Sequence, residues 1–247
     1  TSHKPLKQII YQREQYLCKI SSESDISWNE FVDTSSSIDC VAVDSNDPLY
    51  ILHTSGTTGV PKGIVRTNGG HAVSLLNSMK MTYDISEDDV FWAASDVGWV
   101  VGHSYIVYAP LLLGCSTVLY EGKPVGTPDS GQFWRVISEY KVKTMFTAPT
   151  AIRAIKKEDA NGQELKKYDL SRLQYIFLAG ERADPESIKW TIEMTKKPVI
   201  DHWWQTETGW SIAGNFPQFG LFDILFGSTG KAAPGFQVSV LNDEGEK

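Results

Sequence analysis

Hydrophobic positions along this chain switch between two periods. Short apolar runs bounded by glycine, proline or hydroxyl residues predict buried strands at "DPLYILHTSG" (47–56), "VFWAAS" (90–95), "STVLYEG" (116–122), "KTMFTAP" (143–149), "LQYIFLAG" (173–180) and "KPVIDHWWQ" (197–205). Between them, "HSYIVYAPLLLG", "DSGQFWRVISEYK", "PTAIRAIKKE" and "DPESIKWTIEMTK" predict helices. After "TNGG", Ala72, Val73, Leu75, Leu76 and Met79 also fall at helical spacing, with Asn68 as the predicted cap. Such alternation implies a layered α/β domain with a largely parallel sheet. Upstream, "LKQIIY" predicts a short strand, and a polar stretch holds one helical turn around Trp28 to Val32. The tail "GSTGKAAPGFQVSVLNDEGE" changes to glycine-rich turns and antiparallel β, with "FQVSVL" as a strand entering an "NDEG" turn. The expected organisation is a lead-in (1–46) belonging to the same domain, an α/β core (47–226) and the start of a β-rich subdomain (227–247).

Composition narrows the partners. At 41% hydrophobic and 11% aromatic, the 247 residues can bury a substantial core. A net charge of -7 argues against a sequence-independent grip on nucleic acid or an anionic membrane, so any phosphate chemistry must be local. Cys18, Cys40 and Cys115 are scattered, odd in number and without a C-x-x-C pair, which predicts neither a disulfide framework nor a zinc knuckle and suits a reducing compartment. No apolar run reaches the roughly 18 residues of a membrane span, and no signal leader is visible. The missing initiator Met and the unreturned strand at the far end lead to the expectation of a piece cut from a longer protein.

The chemistry concentrates at "HTSGTTGVPKG" (53–63). Thr54, Ser55, Thr57 and Thr58 supply hydroxyl donors, Gly56, Gly59 and Gly63 allow close backbone approach, Pro61 stiffens the loop and Lys62 carries charge. A polyphosphate needs such donors and a cation. The spacing is not that of a Walker A loop, because Val60 and Pro61 separate Gly59 from Lys62, and the G-x-G-x-x-G fingerprint is absent. Composition alone therefore admits both a solvated connecting loop and a phosphate loop at a strand-to-helix junction. Plain readings exist elsewhere too. Trp203 and Trp204 fit core packing, and Glu207 fits a solvated carboxylate or a helix start. His53, His71, His103 and His202 lack H-x-H or H-x-x-x-H spacing and read as structural. "KKED" and "ELKKYD" read as a solvated helix face.

Three segments together go further. "YILHTSGTTGVPKGIVRTNGG", "FLAGERADP" and "DHWWQTETGW" resemble, in order and at fitting spacing, the phosphate loop, adenine-contacting strand end and [YW]-[GQ]-x-T-E motif of the adenylate-forming superfamily. With "SDVGWVVGHSYIVYAPLLLG" and "TMFTAPTAIRAI", the pattern is most similar to short-chain acyl-CoA synthetases, in their propionate-preferring branch. Luciferases and aryl-CoA ligases usually carry "YG" where this chain has "WWQ". The resemblance runs from about Asp44 to the end.

It implies the superfamily's layered αβα amino-terminal domain, in part, and an AMP-forming ligase that activates a short carboxylate with ATP and passes it to coenzyme A, with Mg²⁺ as cofactor. The small-molecule partners would be acid, ATP and CoA. On that resemblance Lys62, Thr206 and Glu207 are the catalytic set, with Glu207 helping to hold Mg²⁺. ATP and AMP contacts would come from Thr54, Ser55, Gly56, Thr57, Thr58, Gly59 and Lys62, from Gly180, Glu181 and Arg182, and from Asp201, His202, Trp203, Trp204, Gln205 and Thr206. Relatives often carry proline where Arg182 stands, so its contact falls to backbone. Trp99, Val100, Val101 and Trp204 would form the acyl pocket. Acetate-using relatives have threonine where Val101 stands; valine makes the pocket more apolar and removes a donor from the CoA approach. The resemblance also implies a mobile C-terminal domain beyond Lys247, carrying further contacts, so the alternatives are an inactive nucleotide-binding scaffold for this piece, or a parent enzyme that prefers acetate or butyrate. It suggests the mitochondrial matrix, with the cytoplasm as alternative.

Overall fold

The computed structural model describes residues 5–13, 15–20, 23–55 and 59–247. Two compact units divide it, 1–43 and 44–247. In the first, β1 (Gln8–Ile10) and β2 (Asp25–Ser27) pair in parallel. Helix α1 (Trp28–Thr34) starts where the Ser27 hydroxyl accepts the Glu30 N–H at 3.1 Å.

The second unit opens with a hairpin. The expected strand forms as β3 (Pro48–Thr54), but it is not buried and does not lead straight into a helix. An antiparallel partner, β4 (Lys62–Thr67), intervenes and sets Thr54 opposite Lys62, Leu52 opposite Ile64 and Tyr50 opposite Arg66. Tyr50, Leu52 and Thr54 are half-buried while Ile51 and His53 are exposed, the alternation of a strand with one covered face. Helix α2 (Asn68–Met81) follows, and here the cap differs from expectation. Thr67 occupies the cap position, because the Asn68 amide is already donating to the Asp47 carbonyl at 2.8 Å.

A five-stranded parallel sheet forms the centre, in the order β6-β5-β7-β8-β9. Its strands are β5 (Val90–Ala94), β6 (Ser116–Thr117), β7 (Thr144–Thr147), β8 (Tyr175–Leu178) and β9 (Val199–Asp201). Strand β6 is shorter than predicted because the chain peels away at exposed Leu119. Period-two alternation sorts the interior side chains into two layers. Trp92, Met145, Ile176, Leu178 and Val199 share one core with Trp134, Ile137, Ile152 and Ile188. These last come from α5 (Gln132–Glu139), α6 (Pro149–Glu158) and α7 (Pro185–Thr195). Phe91, Ala93, Phe146, Phe177 and Ile200 share the other with Leu75 and Met79 of α2 and with Tyr83 and Tyr105. The arrangement is the expected αβα layering.

Tyr105 belongs to a segment predicted as one helix. It forms instead as α3 (Val100–Gly102), a π-helical turn (His103–Tyr108) and α4 (Ala109–Leu113). Pro110 has no N–H for the Ile106 carbonyl, which favours the wider turn there. Helix α3 can begin only because Gly102 lacks a side chain: a Cβ would lie 2.4 Å from the Asp96 carbonyl oxygen.

In the tail, β10 (Ala213–Gly214) and β11 (Lys231–Ala232) make a short antiparallel pair. The predicted strand "FQVSVL" does not form, since no described strand lies beside it to complete a ladder. The "NDEG" turn does form, the Asn242 N–H donating to the Glu246 carbonyl at 2.8 Å.

Candidate functional site

All five central strands run in parallel, so the segments that leave their carboxyl ends meet along one edge, where α/β sheets bind ligands. Trp99–Val101 follows β5, Gly180–Arg182 follows β8 and Trp203–Glu207 follows β9. Chain reversal between β5 and β7 puts the switch point of the sheet beside Trp99–Val101.

Trp204 and Val101, assigned from sequence to one pocket, pack against the same core. The Trp204 ring lies edge-on to Tyr105 at 5.5 Å and tilted over Phe146 at 6.1 Å. Tyr105 is itself fixed, fully buried with its hydroxyl 2.9 Å from that of Ser78. Trp99, expected in the same pocket, is 70% exposed, because Asp96–Gly98 is an exposed turn and α3 starts only at Val100.

Asp201 ends β9 with its carboxylate buried, accepting the Ala183 N–H at 3.3 Å. That bond ties the end of β9 to the Gly180–Arg182 segment. Burial pushes the carboxyl up to about 6, against the opposing pull of the Ala183 and His202 amides and of Arg182. Glu181 is held by Arg153 of α6 at 2.7 Å, and the same guanidinium reaches Asp184, which caps α7, at 3.4 Å. Beside Asp201 a cavity of about 180 Å³ is lined in part by Asn215, Phe222 and Lys231. A larger one, about 460 Å³, lies at the opposite edge of the sheet around Asp84 and Lys143 and holds none of the predicted residues.

The chain matches the description "AMP-binding enzyme" over residues 2–247. It belongs to the AMP-binding enzyme family. The match includes the lead-in before Asp44, where sequence reading found no signature. An uncharacterized protein of Pseudomonas aeruginosa is 51% identical over 243 residues, 98% of this chain and 39% of that protein. The human protein named acyl-CoA synthetase short-chain family member 3, mitochondrial, is 49% identical over 247 residues, 99% of this chain and 36% of that protein. An acetyl-coenzyme A synthetase of Methylobacillus flagellatus is 40% identical over 244 residues, 97% of this chain and 36% of that protein. The chain thus spans under two fifths of the length of these relatives.

His202 directly follows β9. It was expected to touch nucleotide, yet its ring is only 2% exposed, among Tyr83, Phe146 and Phe177. Nδ1 lies 2.7 Å from the Leu178 carbonyl, so it donates, and Nε2 accepts the Tyr83 hydroxyl at 3.0 Å. Burial lowers this imidazole to about 4, which keeps it neutral. The His202 ring is therefore packed and hydrogen-bonded within the core, and the His71 imidazole is likewise lowered to about 4, chiefly by burial. Trp203 makes an antiparallel bridge to Ala213 and leaves its indole 40% exposed at the edge. Gln205 and Glu207 are exposed, and Thr206 is half-buried.

Lys62 is exposed at the mouth of the hairpin loop, opposite Thr54, with Ser55 next in line; Gly59 has φ +78°. The remaining loop residues, Gly56, Thr57 and Thr58, lie outside the described residues. No cluster of three or more His, Cys, Asp or Glu side chains suited to a metal occurs among the described residues. The exposed carboxylate of Glu207 has the oxygen chemistry that a hydrated Mg²⁺ accepts as a single protein ligand.

Sequence reasoning missed Arg66, whose guanidinium donates to the carbonyls of Thr206 and Glu207. The signal was the alternation of Lys62, Ile64 and Arg66 in "KGIVRT", visible once β4 is recognised as a strand. Tyr83 was missed as well, because nothing local marks a tyrosine that pairs with a histidine 119 residues away.

Proposed function

We propose that this chain is the nucleotide- and acyl-binding part of an AMP-forming short-chain carboxylate:CoA ligase that prefers propionate. The observation that carries the reading is the convergence of Trp204 and Val101 on one apolar core at the edge where the Gly180–Arg182 and Trp203–Glu207 segments also emerge. In the first step the carboxylate oxygen attacks the α-phosphorus of ATP, pyrophosphate leaves, and acyl-adenylate forms. In the second the CoA sulfur attacks the acyl carbon and AMP leaves.

Lys62 and the loop hydroxyls meet the charge that builds on the departing phosphates, and preorganised donors of this kind supply much of the catalysis in attack on phosphorus. Thr206 donates its hydroxyl to the α-phosphate. Bound Mg²⁺, held by Glu207 and phosphate oxygens, would neutralise charge on the leaving group. Gly180 to Arg182 receive adenine through backbone, and Asp201 holds that segment through Ala183. Trp203 offers an exposed face for stacking. Trp204 closes the acyl pocket, and Val101 gives it an aliphatic wall without a hydroxyl.

One methylene is worth about 1–3 kcal/mol in such a pocket, so acetate and butyrate should remain slower substrates rather than non-substrates. The test is pyrophosphate release by the full-length protein across acids from acetate to hexanoate. A maximum at propionate is expected; release that ignores the acid, or peaks at hexanoate, refutes the reading. Compartment follows the host, the matrix being proposed for a eukaryotic source, in keeping with the human relative's name.

A further inference from the structure

Strand β4 carries two basic side chains four residues apart on one face, Lys62 at the loop and Arg66 near the base of the hairpin. At the strand rise their Cα atoms are about 13 Å apart along a straight element. Among the described residues Arg66 bonds backbone carbonyls rather than a carboxylate. Its Nη2 donates a short hydrogen bond to the Thr206 carbonyl, and Nη1 donates to the Glu207 carbonyl at 3.3 Å. A planar fork suits two successive carbonyls as a flexible ammonium does not.

The receiving turn is built for this guest. Gln205 to Gly209 is closed by the Gly209 N–H donating to the Gln205 carbonyl at 3.0 Å. The Thr208 hydroxyl adds contacts to the Gln205 carbonyl at 3.1 Å and the Trp210 carbonyl at 3.0 Å. Gly209 has φ +77°, and a Cβ there would lie 2.8 Å from the Arg66 guanidinium carbon. Its missing side chain is the space that the guanidinium fills.

We propose that Arg66 is a positioning residue for adenylation: it clamps the 205–209 turn to the strand that carries Lys62. The inference rests on the ligase reading above. A single rigid strand then fixes the spacing between the lysine that meets the leaving phosphates and the Thr206 hydroxyl and Glu207 carboxylate that meet the α-phosphate and metal. Arg66 itself touches no reacting atom.

The test uses the full-length protein and its Arg66→Ala, Arg66→Lys, Gly209→Ala and Arg66→Ala/Gly209→Ala variants, in two arms. In the first, acid-dependent ATP–pyrophosphate exchange, kcat falls roughly 100-fold in Arg66→Ala, the scale of an ångström-sized misplacement, while KM for the acid stays within about threefold. Arg66→Lys recovers only part of the loss. Gly209→Ala displaces the same guanidinium but also strains a backbone at φ +77°, so the double variant loses clearly less than the product of the two single losses; losses that multiply in full refute the clamp. In the second arm, hydrogen exchange without substrate, amides of 205–210 exchange at least about tenfold faster in Arg66→Ala while those of β7 and β8 do not change. An Arg66→Ala protein with exchange kinetics within about twofold of the parent overturns the proposal. If Arg66→Ala fails to fold, Arg66→Lys carries both arms, since it keeps the charge and the backbone but removes the planar fork. A parent without acid-dependent exchange refutes the ligase reading, and the amide arm then still decides whether Arg66 holds the turn.

Discussion

Replacing Trp204 with glycine removes the largest wall of the proposed acyl pocket while its neighbours stay in place. Tyr105 is fully buried and tied to Ser78, and Phe146 is 3% exposed within the sheet, so neither ring is free to swing into the vacated space. Two aromatic contacts are lost, at 5.5 and 6.1 Å, costing about 1–3 kcal/mol together. A lower melting temperature should register that cost. The specificity change has the opposite sign for longer acids. Each extra methylene buried in the opened space contributes about 0.8 kcal/mol, or roughly fourfold in kcat/KM, so valerate should gain about 15-fold on propionate. The assay is kcat/KM for pyrophosphate release by the full-length variant with propionate, butyrate, valerate and hexanoate. A variant that is destabilised yet keeps the parent's chain-length profile refutes the pocket, because the indole would then be packing the core without facing substrate.

Lys62→Ala should lower pyrophosphate release by roughly 100-fold, the scale of losing one preorganised charge-stabilising group, and an unchanged rate would remove Lys62 from the phosphate site. Tyr83→Phe leaves the buried His202 Nε2 without its donor and should cost about 1–3 kcal/mol in urea unfolding, with an unaltered midpoint refuting the pairing. His202 titrates near 4 in the fold against an ordinary value near 6.5. Stability from that histidine is therefore complete above pH 6.5 and lost as pH falls through 4, by at most about 3 kcal/mol. His71, facing Arg66 and His103, acts in the same sense. Asp201, raised to about 6, acts in the opposite one, its contribution present below pH 3.8 and lost as pH climbs through 6. Two histidines against one carboxylate predict a net fall between pH 6.5 and 4; urea midpoints that stay level across that window refute it.

Much of the sheet was legible because its strands are apolar on both faces and bounded by proline, glycine or hydroxyl residues. "TMFT" and "YIFL" need no tertiary information to be read as buried strands. The hairpin was not legible at β4, where "KGIVRT" looks polar, since only one face is covered and the other is wet. The π-helical turn was hidden for another reason: apolar spacing over six residues does not distinguish it from α-helix, and only the position of Pro110 hints at it. At the candidate site, motifs drew attention to some residues but not to the side chains that support them. Lys62 and Glu207 could be singled out from their motifs, whereas Arg66, Tyr83 and Tyr105 act through partners far away in sequence. The inward turn of His202 was not legible, because its neighbours in the chain face the edge while its own ring turns into the core, as strand alternation requires.

The hairpin that carries Lys62 forms a two-stranded sheet of its own, separate from the ladder of the five-stranded sheet. The proposed nucleotide floor and phosphate grip are therefore built on separate ladders, one a set of strand ends in a continuous parallel sheet, the other a two-stranded hairpin. A two-step ligase must let its first product go while keeping its second in place. On the proposed ligase reading, the hairpin could shift and release pyrophosphate while the strand ends still hold the adenylate, because the two sets of residues share no ladder.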